Sequence, residues 1–387
     1  MAIQGTEFFR QLEVFSDRYF QANLPRLAAI SPWGSERRPL YAKGAIIHYT
    51  ADGDLDRVLR WFCDPKFAAN VSAHAVIVDR RLGTHAELAA GLPLVEALPA
   101  TVIQCRRPDQ RANHAVWANG WTYGIECVND GELRKDLDGN FCTWRKKDPA
   151  AFDWSEHWAS GYKTPVRAWD RWWDPITADQ AAAVVAVLRY LRYFPGTELR
   201  KSDILGHEHV QGVHTLANGD PAKPMGTDKR DPGPTFPLHG VRDSVFAEGG
   251  LLEQARWYNM MRIEPQVIQA DRVRKLQWAV ARACGMAEMP LPDMAWMRFE
   301  SAMEALPTKK EPFGWWGKLG LWLLGYHIAA FDAPIGDGPI LDDVEGDDTE
   351  TIQTFQRLSG LITDGQPGPI TKKALVNRLK DRGIIAS

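Results

Sequence analysis

The chain lacks an apolar run long enough to cross a bilayer. Its most apolar stretch, "WWGKLGLWLLGYHIAAF", is about 17 residues and contains Lys318, His327 and three glycines, short of the roughly 20 that a span requires. It reads as a buried helix. The N-terminus, "MAIQGTEFFRQLEVFSDRYFQANLPRLAAI", has no unbroken apolar segment of the kind a secretory signal needs. Its alternation of apolar and charged residues predicts an amphipathic helix packed on the mature protein, with a docking element for a delivery machine over residues 6–29 as the alternative. The five cysteines are odd in number and show no C-x-x-C spacing, which excludes a disulfide framework and a cysteine zinc knuckle. Charge of one sign is missing too. Lys plus Arg total 46 against 49 Asp plus Glu, a net charge of -3, so no positive field exists to hold nucleic acid or an anionic membrane.

What is present is an alternation of strand and helix patterns along 387 residues, a length for two or three domains. "GAIIHYTA" is a β-branched and aromatic strand. "DLDRVLRWF" places Leu55, Val58, Leu59 and Phe62 on one helical face. "SAHAVIVD" and "TYGIECVND" return to strand. "TADQAAAVVAVLRYLRYF" is a helix opened by the capping-box spacing of Thr177 and Gln180 and stopped by Pro195 and Gly196. "DILGHEHV" then reads as a strand ending in a histidine-rich loop. This order predicts an α/β domain over 44–245, a mixed central sheet flanked by helices, preceded by a helical segment over 1–43. A helical connector follows over 246–309 and a small helical bundle over 310–387. In the bundle a weak repeat, Gly346-x-x-Thr349 and Gly368-x-x-Thr371, offers a Gly turn and a Thr cap to each of two helices.

Chemistry concentrates at a few of these positions. His48 lies in a strand, His207 just after one, and Asp231 in "DKRDPGP", where Pro232 stiffens the turn. Two imidazoles and a carboxylate suit zinc and leave its fourth tetrahedral position open. Glu126, two residues after Gly124 on its strand, shares a face with that glycine, which leaves space for a substrate. Its carboxylate would orient and deprotonate water. Lys229 offers a cation to the oxyanion that forms when a carbonyl is attacked.

The blocks "GAIIHYTA", "VSAHAVIVD", "YGIECVN", "ILGHEHV" and "KRDPGP", over residues 44–238, resemble those of the zinc-dependent N-acetylmuramoyl-L-alanine amidases of type 2, relatives of the peptidoglycan recognition proteins. The resemblance implies Zn2+ on His48, His207 and Asp231, Glu126 as the catalytic carboxylate and Lys229 as the oxyanion donor. It also implies His74 and His114 as substrate-cleft residues. "FQRLSGLITDGQPGPITKKAL" resembles the second half of the three-helix peptidoglycan-binding domain, through Phe355, Gln356, Gly360, Leu361, Asp364, Gly365, Gly368 and Thr371.

The implied function is hydrolysis of the bond between N-acetylmuramic acid and L-alanine in bacterial peptidoglycan, with the chain held on the wall by its C-terminal domain. A phage endolysin or secreted effector fits that pairing: a chain made in the cytoplasm without a signal peptide, reaching the wall by a pore or by injection. A non-catalytic peptidoglycan-recognition protein and a zinc peptidase cutting within the stem peptide are the alternatives. Two departures from the family stand out. The segment before Asp231 is long and carries His209 and His214, either of which could replace or supplement a ligand. Residues 129–173 form a large insertion rich in tryptophan, expected as a surface subdomain with its own small core, with a wall of the cleft as the other reading.

Overall fold

A computed structural model describes residues 2–27, 29, 31–32, 42–66, 71–79, 98–135, 141–143, 165–168, 171–210, 230–247, 265–286, 288–308, 313–328, 331, 348–381 and 384–385. The chain divides into two compact units, Met1–Glu208 with Arg230–Pro265, and His209–Lys229 with Gln266–Ser387.

In the first unit, helix α1 (Ala2–Asn23) precedes strand β1 (Gly44–Tyr49), helix α2 (Leu55–Cys63), β2 (Ala75–Val78), β3 (Thr101–Gln104) and β4 (Thr122–Cys127). β9 (Ile204–Gly206) completes a five-stranded sheet in the order β3-β2-β4-β1-β9, parallel except for β3. Ala45, Ile46 and Ile47 of β1 are fully buried, as a parallel strand covered on both faces requires. α2 buries Leu55, Val58, Leu59 and Phe62 as their spacing predicts, and Asp54 caps it by accepting the Arg57 N–H at 3.1 Å.

The capping box that opens α3 (Ala178–Arg192) forms as expected: Thr177 Oγ1 accepts the Gln180 N–H at 3.2 Å, and Gln180 Oε1 accepts the Thr177 N–H at 3.1 Å. Gln180 also donates to the Val128 carbonyl at 2.9 Å, which ties the helix start to the end of β4. α1 belongs to this same core. Phe8, Leu12, Phe15 and Tyr19 recur along one face and are buried. Phe8 stacks on Tyr190 of α3 at 4.0 Å, and Gly5 lets the helices meet, since a Cβ there would lie 2.6 Å from the Tyr193 carbonyl. Each large apolar side chain of α1 contributes about 2 kcal/mol by burial, so its apolar face is committed to the core.

The described residues of the insertion form four short strands, β5 (Glu132–Lys135), β6 (Phe141–Thr143), β7 (Val166–Ala168) and β8 (Arg171–Trp173), in an antiparallel sheet of order β6-β5-β8-β7. Its described residues fall within the first unit. Asn129 donates to the Pro175 carbonyl at 3.1 Å and the Asp130 N–H to Asp174 at 3.0 Å, closing its base on the end of β4. Trp173, 1% exposed, turns inward. α4 (His207–Val210) follows β9 directly, and α5 (Leu238–Phe246) carries the buried Arg242, whose Nε donates to the Ile204 carbonyl at 2.8 Å and holds β9 in place.

Among the described residues the second unit shows helices α6 (Pro265–Ala283), α7 (Pro292–Ala305), α8 (Gly314–Leu323), α9 (Thr349–Leu358) and α10 (Pro369–Asp381). The apolar stretch at 315–331 is a buried helix and its exit, with Trp322 and Phe331 in the core. Among the described residues no helix is long and apolar enough to cross a membrane.

Gln356 organises the loop between α9 and α10. Its amide nitrogen donates to Asp364 at 2.8 Å, to the Gln366 carbonyl at 3.0 Å and to Thr371 at 3.3 Å, and its oxygen accepts the Gly365 N–H at 2.8 Å. Neither threonine of the repeat caps its helix. Thr349 is already inside α9, whose N-cap is Asp348, and Asp348 pairs instead with Lys318 at 2.8 Å. α10 starts at Pro369, a residue preorganised for a first helical position, so Thr371 is left to receive Gln356.

Candidate active site

Parallel pairing sets three side chains abreast at the carboxyl ends of adjacent strands. His48 is opposite Glu126 in the β1–β4 register, and partners in register project from the same face. Gly206 is opposite Ile47, so His207, one residue on, comes up beside His48. The two rings meet edge-on with centroids 4.5 Å apart.

Asp231 closes the cluster. Its Oδ2 lies 2.9 Å from His48 Nδ1 and 3.1 Å from His207 Nδ1, and the three donor atoms are all within 4.8 Å of one another. His48 is 1% exposed and Asp231 4%. Burial pushes the Asp231 carboxyl up, but the imidazoles beside it, His207 foremost, hold it well below the usual carboxylate range. The turn carrying Asp231 is gripped along its length. Its carbonyl accepts the Glu208 N–H at 3.1 Å. Pro232 lies on Gly206, where a Cβ would come within 2.6 Å of the proline ring, and Gly233, at φ +79°, lies under Trp173.

The room over Gly124 is taken by an imidazole. A Cβ on Gly124 would lie 2.5 Å from Cγ of His114, so the glycine makes space for that ring and not, as expected, for a substrate. His114 Nδ1 is 3.1 Å from His48 Nε2, while its Nε2 is 3.4 Å from the Thr122 carbonyl and 3.3 Å from the Thr122 hydroxyl. Asn119 Oδ1 fixes the loop beneath by accepting the N–H groups of His114 at 2.9 Å and Ala115 at 2.6 Å. Burial pushes His114 well below the ordinary histidine range, and the rings of His48, His74 and His207 push it the same way.

His74 has both nitrogens engaged by backbone. Nδ1 accepts the Gly124 N–H at 2.9 Å and the Nε2 proton goes to the Gln110 carbonyl at 2.9 Å, which fixes a neutral tautomer. Burial lowers its pKa to about 4. Its ring stacks on Tyr123 at 4.5 Å and steadies the strand that carries Gly124 and Glu126.

The family model for N-acetylmuramoyl-L-alanine amidase matches residues 37–234, just over half of the 387. The chain belongs to the N-acetylmuramoyl-L-alanine amidase family. Among solved structures, the complex of the N-acetylmuramyl-L-alanine amidase AmiD from E. coli with anhydro-N-acetylmuramic acid-L-Ala-D-gamma-Glu-L-Lys is similar at 16% identity, over 89% of this chain and 92% of that one, with a TM-score of 0.30. At that identity and score the likeness adds nothing to the family match. No curated protein sequence matches the chain.

In this amidase the donor set fits a divalent ion. Four tetrahedral ligands at 2.0–2.2 Å from a metal stand roughly 3.3 Å apart, close to the spacing of the imidazole nitrogens from the carboxylate oxygen. With His48 Nδ1 and His207 Nδ1 as lone-pair donors, the His48 Nε2–H donates to His114 Nδ1, and the His114 Nε2–H in turn to Thr122. In that arrangement His114 would fix the tautomer that His48 needs to hold an ion. Among the described residues the cluster comprises His48, His207 and Asp231. His209 is buried edge-on to Tyr326 at 4.7 Å, within the second unit. Lys229 and His214 lie outside the described residues.

Three residues of the site escaped the sequence reading, and a fourth, Trp173, entered it only as one of the insertion's tryptophans. Asn119 and Thr122 serve His114, and an Asn five residues after a His is the only trace they leave. Tyr49 follows His48. Burial first, then the Asp231 carboxylate, push its phenol up and keep it protonated beside the cluster. Trp173 gives no local signal, because its partner on the Asp231 turn is 60 residues away.

Proposed function

We propose that this amidase hydrolyses the amide bond between N-acetylmuramic acid and L-alanine in peptidoglycan, with zinc held by His48 Nδ1, His207 Nδ1 and Asp231 Oδ2. The approach of one buried carboxylate oxygen to two imidazole nitrogens, at 2.9 and 3.1 Å, supports this reading most directly. Bound there, zinc supplies Lewis acidity, lowering the pKa of water from about 15.7 to about 7. Glu126, beside His48 in the register, takes the proton of the water that attacks the lactyl carbonyl carbon, and returns it to the alanine nitrogen as the C–N bond breaks. Lys229, two residues before Asp231, serves the oxyanion.

The second unit is proposed to hold the chain on the polymer, which raises the effective concentration of substrate at the cleft without adding catalytic contacts. Ile362 and Ile370, 82% and 71% exposed beside the Gln356 loop, are the apolar contacts it would offer. Action at the cell wall follows from the substrate, in the manner of an endolysin or a delivered effector.

The test uses the purified full-length chain on a peptidoglycan suspension. It should clear the suspension, release fragments whose new amino terminus is L-alanine, stop in chelator and resume on adding zinc. Mass spectra showing only cuts inside the stem peptide would sink the assignment of the bond.

A further inference from the structure

We propose that the insertion sheet is a clamp that sets the position of Asp231 and, through it, the metal affinity of the site. The inference rests on the metal reading above. Glu132 on β5 and Trp173 on β8 are directly opposed in the antiparallel register, so both project from one face of the sheet. That pair straddles the Asp231 turn. Glu132 Oε2 lies 3.8 Å from Arg230 Nη1, an ion pair in which both side chains are largely shielded, at 15% and 13% exposure. The other carboxylate oxygen of Glu132 pairs with Arg171 of β8, which keeps Glu132 extended across its own sheet. On the far side of Asp231 and Pro232, the Trp173 ring covers Gly233 so closely that a Cβ there would come within 2.8 Å of it. Trp173 is itself anchored, its Nε1–H donating to the Ala168 carbonyl at 2.9 Å.

One cross-strand pair therefore fixes the residues immediately before and after the ligand-bearing dipeptide. The base of the sheet is tied to the residues that follow β4, the strand of Glu126. Glu132, Arg230 and Trp173 act on the residues that flank Asp231, so they are positioning residues. Removing partners of this kind typically weakens metal binding 10–100-fold while leaving the ligands in place.

The experiment titrates Zn2+ into the full-length chain against a chromophoric chelator. Glu132→Gln and Arg230→Gln should each weaken zinc binding about 10-fold, and Trp173→Ala closer to 100-fold, with Trp173→Phe restoring most of the loss. Lys135→Ala, exposed on the opposite face of the same sheet, should bind zinc as the wild type does. Activity lost by Glu132→Gln at limiting zinc should return at saturating zinc, which a defect in folding would not allow. Should Trp173→Ala fail to fold, the two charge variants carry the test. Wild-type affinity in both of them overturns the clamp alone, whereas a wild-type chain that takes up no zinc overturns the metal reading and the clamp with it.

Discussion

The strand-end cluster of the first unit and the Gln356 loop of the second are each centred on a buried polar side chain, His48 in one and Gln356 in the other, yet they are wired differently. His48 and Asp231 meet across 183 residues, and their contact leaves donor atoms converging on one point. Gln356 meets Asp364, Gly365, Gln366 and Thr371 within 15 residues, and each contact answers another group's hydrogen-bonding need. A conspicuous motif can thus encode either chemistry or the shape of a loop. The difference lies in whether its polar atoms pair off one by one or converge on a single point.

That contrast can be broken by experiment, starting with the largest effect. Asp231→Ala should reduce amidase activity to background and abolish zinc uptake while the second unit melts unchanged; residual turnover measured on purified wall would contradict the ligand role. Glu126→Gln should keep zinc and lose about 10²–10⁴ in kcat, the span expected for a general base, as read by steady-state kinetics on a soluble muropeptide.

A third test addresses His74. Its pKa is about 4 in the fold against an ordinary 6.5, so between those values the unfolded chain takes up a proton that the folded one refuses. Stability should be unaffected by this group above pH 6.5 and fall by about 3 kcal/mol as pH drops from 6.5 to 4. Denaturant melts at stepped pH should show a shallower slope in His74→Gln. The smallest expected effect is Gln356→Ala, which leaves the buried Gly365 N–H and Thr371 hydroxyl without this partner and should cost the second unit about 2 kcal/mol without changing turnover of a soluble muropeptide. If turnover falls in parallel, the two regions are less independent than their wiring implies.

Much of the first unit was legible from periodicity. β1, α2, β2, β4, α3 and β9 announce themselves by β-branched runs, an apolar helical stripe and a capping box, because each is long enough for a period to repeat or carries a local end signal. The three residues of the cluster, His48, His207 and Asp231, were legible as residue types on rigid perches. What stayed hidden depends on pairing across the chain. β6, β7 and β8 have three residues each, too few to show alternation, so the Glu132–Trp173 register could not be read. Gly124 was rightly read as making space, but nothing local says that the occupant is His114. Thr349 and Thr371 were read as caps on spacing alone, and the competition from Asp348, Pro369 and Gln356 appears only in three dimensions.

His48 has a carboxylate against one ring nitrogen and a second imidazole against the other. A ring occupied on both sides has no site from which to ferry hydrogen ions to an incoming molecule. On the proposed mechanism, holding and shuttling would fall to neighbouring strands, on His48 and its register partner Glu126, and evolution or an engineer could retune one without dismantling the other.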